Sequence, residues 1–172
     1  MVEVMVTAAV VAIGLLGAAK LQAAAVSNTQ VSRVRSLVAL QAGSLAAAMH
    51  GNPKYWAAGT APTRWTASGT TISDAVLSAA STCVDNSTTG LPNNLCTPPQ
   101  LAAYDVQTWV ANMNDQFPSY SATVTCSNTV GVPISCSIQL TWSEKTVAIN
   151  ASTAASAATQ PSQQQFTLLV QP

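Results

Sequence analysis

The chain has 172 residues and a mass of 17.6 kDa, enough for one domain or for two small ones. Hydrophobic residues make up 48% and charged residues only 7%, with six basic side chains balanced by six acidic ones. That composition excludes a highly charged disordered polymer, and the scattered basic residues offer no electrostatic grip on a nucleic-acid backbone.

Fifteen of residues 1–19 are Ala, Val, Ile, Leu or Met, the exceptions being Glu3, Thr7, Gly14 and Gly17. A helix of roughly 20 such residues spans about 30 Å of hydrocarbon, so residues 1–22 read as a transmembrane helix. A cleavable signal peptide ending at Gln22-Ala23-Ala24-Ala25 is the competing reading, but the segment opens with a carboxylate where a signal peptide has basic residues. Glu3 carries two readings of equal weight. An acid in lipid is expensive unless paired and so points to function; an acid in the first turn of a helix is also favourable by roughly 0.3–1 kcal/mol through the helix dipole. Lys20, Arg33 and Arg35 follow the apolar run, which the positive-inside tendency places in the cytoplasm. The four cysteines, Cys83, Cys96, Cys126 and Cys136, demand an oxidising compartment on that same side. Both hold if a basic segment once preceded Met1.

Residues 23–50 continue the helix with a one-sided pattern, Val31, Val34, Val38, Ala42, Leu45 and Met49 recurring at three- and four-residue steps. The helix is expected to stop at His50-Gly51-Asn52-Pro53, with Gly51 in a left-handed cap and His50 favouring the helix dipole. At 1.5 Å per residue such a helix is about 70 Å long, and its second half must pack on a head formed by residues 51–172. Asn52 to Thr82 reads as irregular, anchored by Tyr55, Trp56 and Trp65, with a short helix over Asp74 to Ala80. Thr97-Pro98-Pro99-Gln100 starts a second helix, Thr97 capping and Gln100 reaching back. Ala102, Val106, Trp109, Val110, Met113 and Phe117 form its buried stripe, and Pro118 ends it. Asp105 has no second acid or histidine nearby, so a structural hydrogen-bonding role is expected for it.

In the last third, Ile134, Cys136, Ile138, Leu140 and Trp142 alternate with Ser, Gln and Thr, and Ala122, Val124 and Cys126 alternate with Thr123 and Thr125. Four cysteines allow three connectivities. Setting Cys126 opposite Cys136 brings Val124 opposite Ile138 and Ala122 opposite Leu140. That self-consistent register predicts a hairpin disulfide Cys126–Cys136 and leaves Cys83–Cys96 as the second. Further strands are expected at Lys145 to Asn150 and Gln165 to Val170, with a flexible loop from Ala151 to Gln164. Twelve residues separate Cys83 from Cys96 and nine separate Cys126 from Cys136, so the cysteines lack the short ligand pair of a zinc site. No metal or cofactor site is expected. No nucleophile elbow or Gly-rich phosphate loop is present, and the residues point away from an enzyme.

Met1-Val2-Glu3-Val4-Met5-Val6, followed by Ala12-Ile13-Gly14-Leu15-Leu16-Gly17 and Leu21-Gln22, resembles the N-terminal helix of type IV pilins. Within them it is most similar to the PilV family of minor pilins. Cys96-Thr97-Pro98-Pro99-Gln100-Leu101-Ala102-Ala103-Tyr104-Asp105, with Trp109 one turn on, resembles a second PilV pattern. The resemblance implies an α+β pilin fold, a long N-terminal helix on a small antiparallel sheet. It implies that Glu3 matches the family glutamate that pairs with the methylated N-terminal amine of a neighbouring subunit. It also implies a basic leader removed by a prepilin peptidase, an inner-membrane subunit with its head in the periplasm, and later residence in a surface pilus. Implied partners are the lipid bilayer, the inner-membrane assembly machinery, other minor pilins, the major pilin and a tip adhesin, in support of twitching motility and attachment. A minor pseudopilin of type II secretion shares the first helix, and a secreted disulfide-bonded binding module is the remaining alternative.

Overall fold

The computed structural model describes residues 2–81, 83, 96–117, 119–129, 131–144 and 162–172. Helix α1 runs unbroken from Val2 to Gly51, about 75 Å at 1.5 Å per residue. It is followed by α2 (Pro53–Trp56), β1 (Arg64–Ser68), β2 (Thr71–Ile72), α3 (Pro98–Gln116), β3 (Ser121–Cys126), β4 (Cys136–Glu144) and β5 (Ser162–Val170). The strands form one sheet in the order β2-β1-β3-β4-β5. The arrangement is α+β, with a long apolar helix and a small sheet whose registered pairs are antiparallel. The chain divides into two compact units, Leu37–Ser143 with Gln163–Pro172, and Met1–Ser36 with Glu144–Ser162.

In the larger unit the core is built from three sources. Helix α1 contributes Val38, Ala42, Leu45 and Met49, each at most 1% exposed, and α3 contributes Ala102, Ala103, Val106, Trp109, Val110 and Met113. The sheet adds two inward rows set by its register, Trp65-Val124-Ile138 and Ala67-Ala122-Leu140. The indole N–H of Trp109 donates to the Gln41 carbonyl at 2.8 Å, so the largest residue of α3 is bonded directly to the α1 backbone. Its ring also meets Tyr120 edge to face at 6.2 Å, and the Tyr120 hydroxyl donates to the Gly69 carbonyl at 2.9 Å. In contrast, the Tyr55 hydroxyl and the Trp65 indole N–H are buried without a hydrogen bond among the described residues. Burial, followed by the Asp74 charge, pushes the Tyr55 phenol up to about 12.

The register expected for the second hairpin is present: Cys126 lies opposite Cys136, Val124 opposite Ile138 and Ala122 opposite Leu140. Both disulfides are formed, Cys126–Cys136 across the strand pair and Cys83–Cys96 leading into α3. Gln100 caps α3 as its spacing from Thr97 predicts, its Oε1 accepting the Thr97 N–H at 3.0 Å and the Thr97 hydroxyl at 2.9 Å.

Several expectations need correction. The stretch Asn52 to Thr82 is not irregular throughout, because it contains α2 and the β1–β2 hairpin. That hairpin turns through Gly69 and Thr70, and Gly69 has a φ of +57°, a conformation natural to glycine. No helix forms over Asp74 to Ala80. The Asp74 carboxylate accepts the N–H groups of Val76 and Leu77, making one capped turn, while the Gln107 carboxamide binds the carbonyls of Leu77 and Ala79 that a longer helix would need. Gly51 remains helical rather than left-handed. The break falls at Asn52, which is buried and whose Nδ2 donates to the Pro98 carbonyl at 2.7 Å, joining the end of α1 to the start of α3. Phe117 is a half-buried cap beyond α3, not a member of its buried stripe, and Ala103 joins that stripe instead. Ile134 precedes β4, which runs on to Glu144, and β5 begins at Ser162, three residues before the expected start. The strand expected at Lys145 to Asn150, the loop from Ala151 as far as residue 161, and Pro118 lie outside the described residues.

Candidate functional site

Every residue from Val2 to Ala23 is exposed, although the segment is the most apolar in the chain. Ten large aliphatic side chains lie bare there: Val2, Val4, Met5, Val6, Val10, Val11, Ile13, Leu15, Leu16 and Leu21. At roughly 2 kcal/mol for removing each from water, their transfer to lipid or to other helices is favourable by about 20 kcal/mol. This is the one described helix long and apolar enough to cross a membrane. Among the described residues nothing covers its apolar side chains.

Glu3 sits in the first turn of α1 and is exposed. Its carboxylate has no hydrogen bond or ion pair among the described residues. The nearest helix-borne cation, Lys20, is seventeen residues further on, about 26 Å along the axis. At i+4 stands Thr7, whose hydroxyl is committed to the carbonyls of Glu3 and Val4 at 3.1 and 2.9 Å. A carboxylate so placed meets no counter-charge among the described residues to accompany it into an apolar medium. Burying a lone acid costs roughly 3 kcal/mol on insertion scales, small against about 20 kcal/mol of apolar transfer. One acid at that cost leaves the helix apolar enough to cross a membrane.

Further along the chain, the candidate residues separate. His50 lies exposed in the last turn of α1, where a cation is favourable. No group of three or more His, Cys, Asp or Glu among the described residues could hold a metal ion. Asp105 departs from the expected hydrogen-bonding role: it makes no hydrogen bond among the described residues. It lies half-buried on the flank of α3, between Ala102 and Trp109 of the buried face, and desolvation raises its carboxyl above the usual range.

One pair escaped the sequence reading. Arg35 Nε donates to Glu144 Oε1 at 3.1 Å and its Nη2 to Oε2 at 3.0 Å, across 109 residues of chain. The Glu144 side chain is 5% exposed and that of Arg35 55%. Hydrogen bonding to Glu144, then its charge, raises the Arg35 guanidinium pKa further above its ordinary value. The signal was strand parity: residues 136, 138, 140 and 142 face inward, so the next inward position is 144. An acid there required a cation, and Arg35 supplies it.

Comparison with protein-family models, curated proteins and solved structures found no match to this chain.

Proposed function

We propose that the protein is a minor pilin of the type IV pilus, of the PilV type, held in the inner membrane by the first half of α1 before it enters a filament. The observation that carries this reading is the bare apolar half of α1 with the Glu3 carboxylate exposed in its first turn and without a partner among the described residues, continuous with a half that packs in a disulfide-bonded α+β unit. A membrane anchor alone needs only about 20 apolar residues and is better without an acid. An assembly helix has a use for both. Leaving lipid for a bundle of like helices exchanges one apolar environment for another at little net cost, so the acid can decide the direction. In the proposed mechanism Glu3 is neutralised by the N-terminal amine of a neighbouring subunit, which sets the axial offset between subunits. The disulfides suit a head that faces the periplasm and then the outside. Other minor pilins, the major pilin and a tip adhesin are the proposed partners, with pilus priming, twitching motility and adhesion as the outcome.

Glu3→Ala and Glu3→Gln test this in the native host. The amount of protein in the membrane fraction is expected to stay unchanged, while the amount in sheared filaments falls at least about tenfold, the equivalent of losing one charge-assisted contact. Incorporation equal to that of the unaltered chain would remove Glu3 from the mechanism.

A further inference from the structure

On α3, Leu101, Tyr104, Asp105 and Thr108 stand at i, i+3, i+4 and i+7, a spacing that gathers them on one flank of the helix beside its buried stripe. Leu101 and Asp105 are half-buried and Thr108 is exposed. Tyr104 is 38% exposed, whereas Tyr55 and Tyr120 are both buried. Asp105 is the odd member of the group. Its carboxylate accepts no hydrogen bond among the described residues, and its carboxyl is raised by desolvation with no neighbouring charge contributing. An acid half withdrawn from water and left alone costs the subunit stability. A cation brought from outside removes that cost and adds a charge-assisted contact.

The surroundings select the cation. To reach a half-buried carboxylate that shares its flank with Leu101 and Tyr104, a cation must shed part of its hydration, which a guanidinium does more readily than an ammonium. A guanidinium also lies flat on an aromatic ring and grips a carboxylate through two parallel N–H groups, and the apolar stem of an arginine suits Leu101. Two copies of this chain meeting patch to patch would set acid against acid, which opposes a twofold self-pairing. We infer that this flank of α3 is a docking patch for an arginine on the surface of a different protein, with Asp105 as the charged acceptor, Tyr104 as the stacking ring, and Leu101 and Thr108 as the rim.

The test uses the full chain in its native host, with a photo-crosslinking side chain at Asn112, which is exposed and lies two turns beyond Asp105, at the edge of the patch. The crosslinked residue is mapped by mass spectrometry, and the yield is compared with that of Asp105→Asn, Asp105→Arg and Asp105→Glu. The expected result is an adduct to a different protein within about one helical turn of an arginine. Its yield should fall at least about tenfold in Asp105→Asn, the equivalent of losing one charge-assisted contact, and further in Asp105→Arg, with Asp105→Glu in between. Urea unfolding of Asp105→Asn in micelles near pH 7 separates docking from folding, because its midpoint is expected to hold or rise while the adduct is lost. Equal yield from Asp105→Asn would overturn the patch. So would an adduct only to lipid or to a second copy of this chain, an adduct mapped away from any arginine, or no adduct at all. The patch stands apart from the pilin reading: normal incorporation of Glu3→Ala would defeat that reading and leave the crosslinking result in place.

Discussion

Removing the Cys126–Cys136 bridge by the double substitution Cys126→Ala/Cys136→Ala gives a loss that follows from ring size. The bridge closes a ring of eleven residues, Cys126 through Cys136. Loop-closure entropy assigns such a ring about 2.8 kcal/mol at 25 °C, and the fourteen-residue ring closed by Cys83–Cys96 about 3.0 kcal/mol. The neck of the hairpin keeps other ties without its disulfide. Ser127 N donates to the Ser135 carbonyl at 2.8 Å and Ser135 N to the Ser127 hydroxyl at 2.9 Å, so the strands stay in register and the loss remains close to the entropic figure. Urea unfolding of the full chain in micelles measures it through the buried Trp56, Trp65, Trp109 and Trp142. Each double substitution is expected to lower stability by about 3 kcal/mol, and removing both bridges by about 6 kcal/mol, a large share of the 5–15 kcal/mol typical of a domain. An unchanged midpoint after loss of either bridge would refute the assignment of that bridge as a constraint on the unfolded chain.

Leu45→Ala empties a fully buried position on α1 and is expected to cost about 3 kcal/mol in the same assay. Two tyrosines predict opposite outcomes: Tyr55→Phe removes an unbonded buried hydroxyl and should be neutral or stabilising, whereas Tyr120→Phe loses the bond to Gly69 and should cost about 1 kcal/mol. Asp105 has a native carboxyl raised above 3.8 by desolvation, so the folded state holds its proton more tightly and this group's contribution to stability falls as pH rises through that window. Asp105→Asn is therefore expected to stabilise the protein near pH 7 and to leave it unchanged near pH 3, as read from urea midpoints at the two values.

How much of this was legible depended on how local the signal was. The Cys126–Cys136 register follows from period-two alternation on two neighbouring strands, and the α3 cap follows from four consecutive residues, Thr97 to Gln100. The β1 strand escaped because only Trp65 and Ala67 mark its inner face amid Ser, Thr and Gly. The two-residue turn at Gly69-Thr70 was its readable sign. The Asp74 turn looked helical in sequence, and what stops it is Gln107, a residue on another element. The same holds for Arg35 and Glu144. Each is a charge whose meaning depends on a partner 109 residues away, and only strand parity hinted at the second. For Glu3 the position of the acid was legible, and the structure adds that it is exposed in the first turn of α1.

The most direct measurement places a photo-crosslinking side chain at Leu16, the exposed middle of the apolar half of α1, and compares adducts in membranes with those in sheared filaments. Lipid adducts in the first sample and adducts to the N-terminal helices of other subunits in the second are the predicted result. Recovery of the native protein as a water-soluble species without residues 1–22, or the same lipid adducts in both samples, would contradict it.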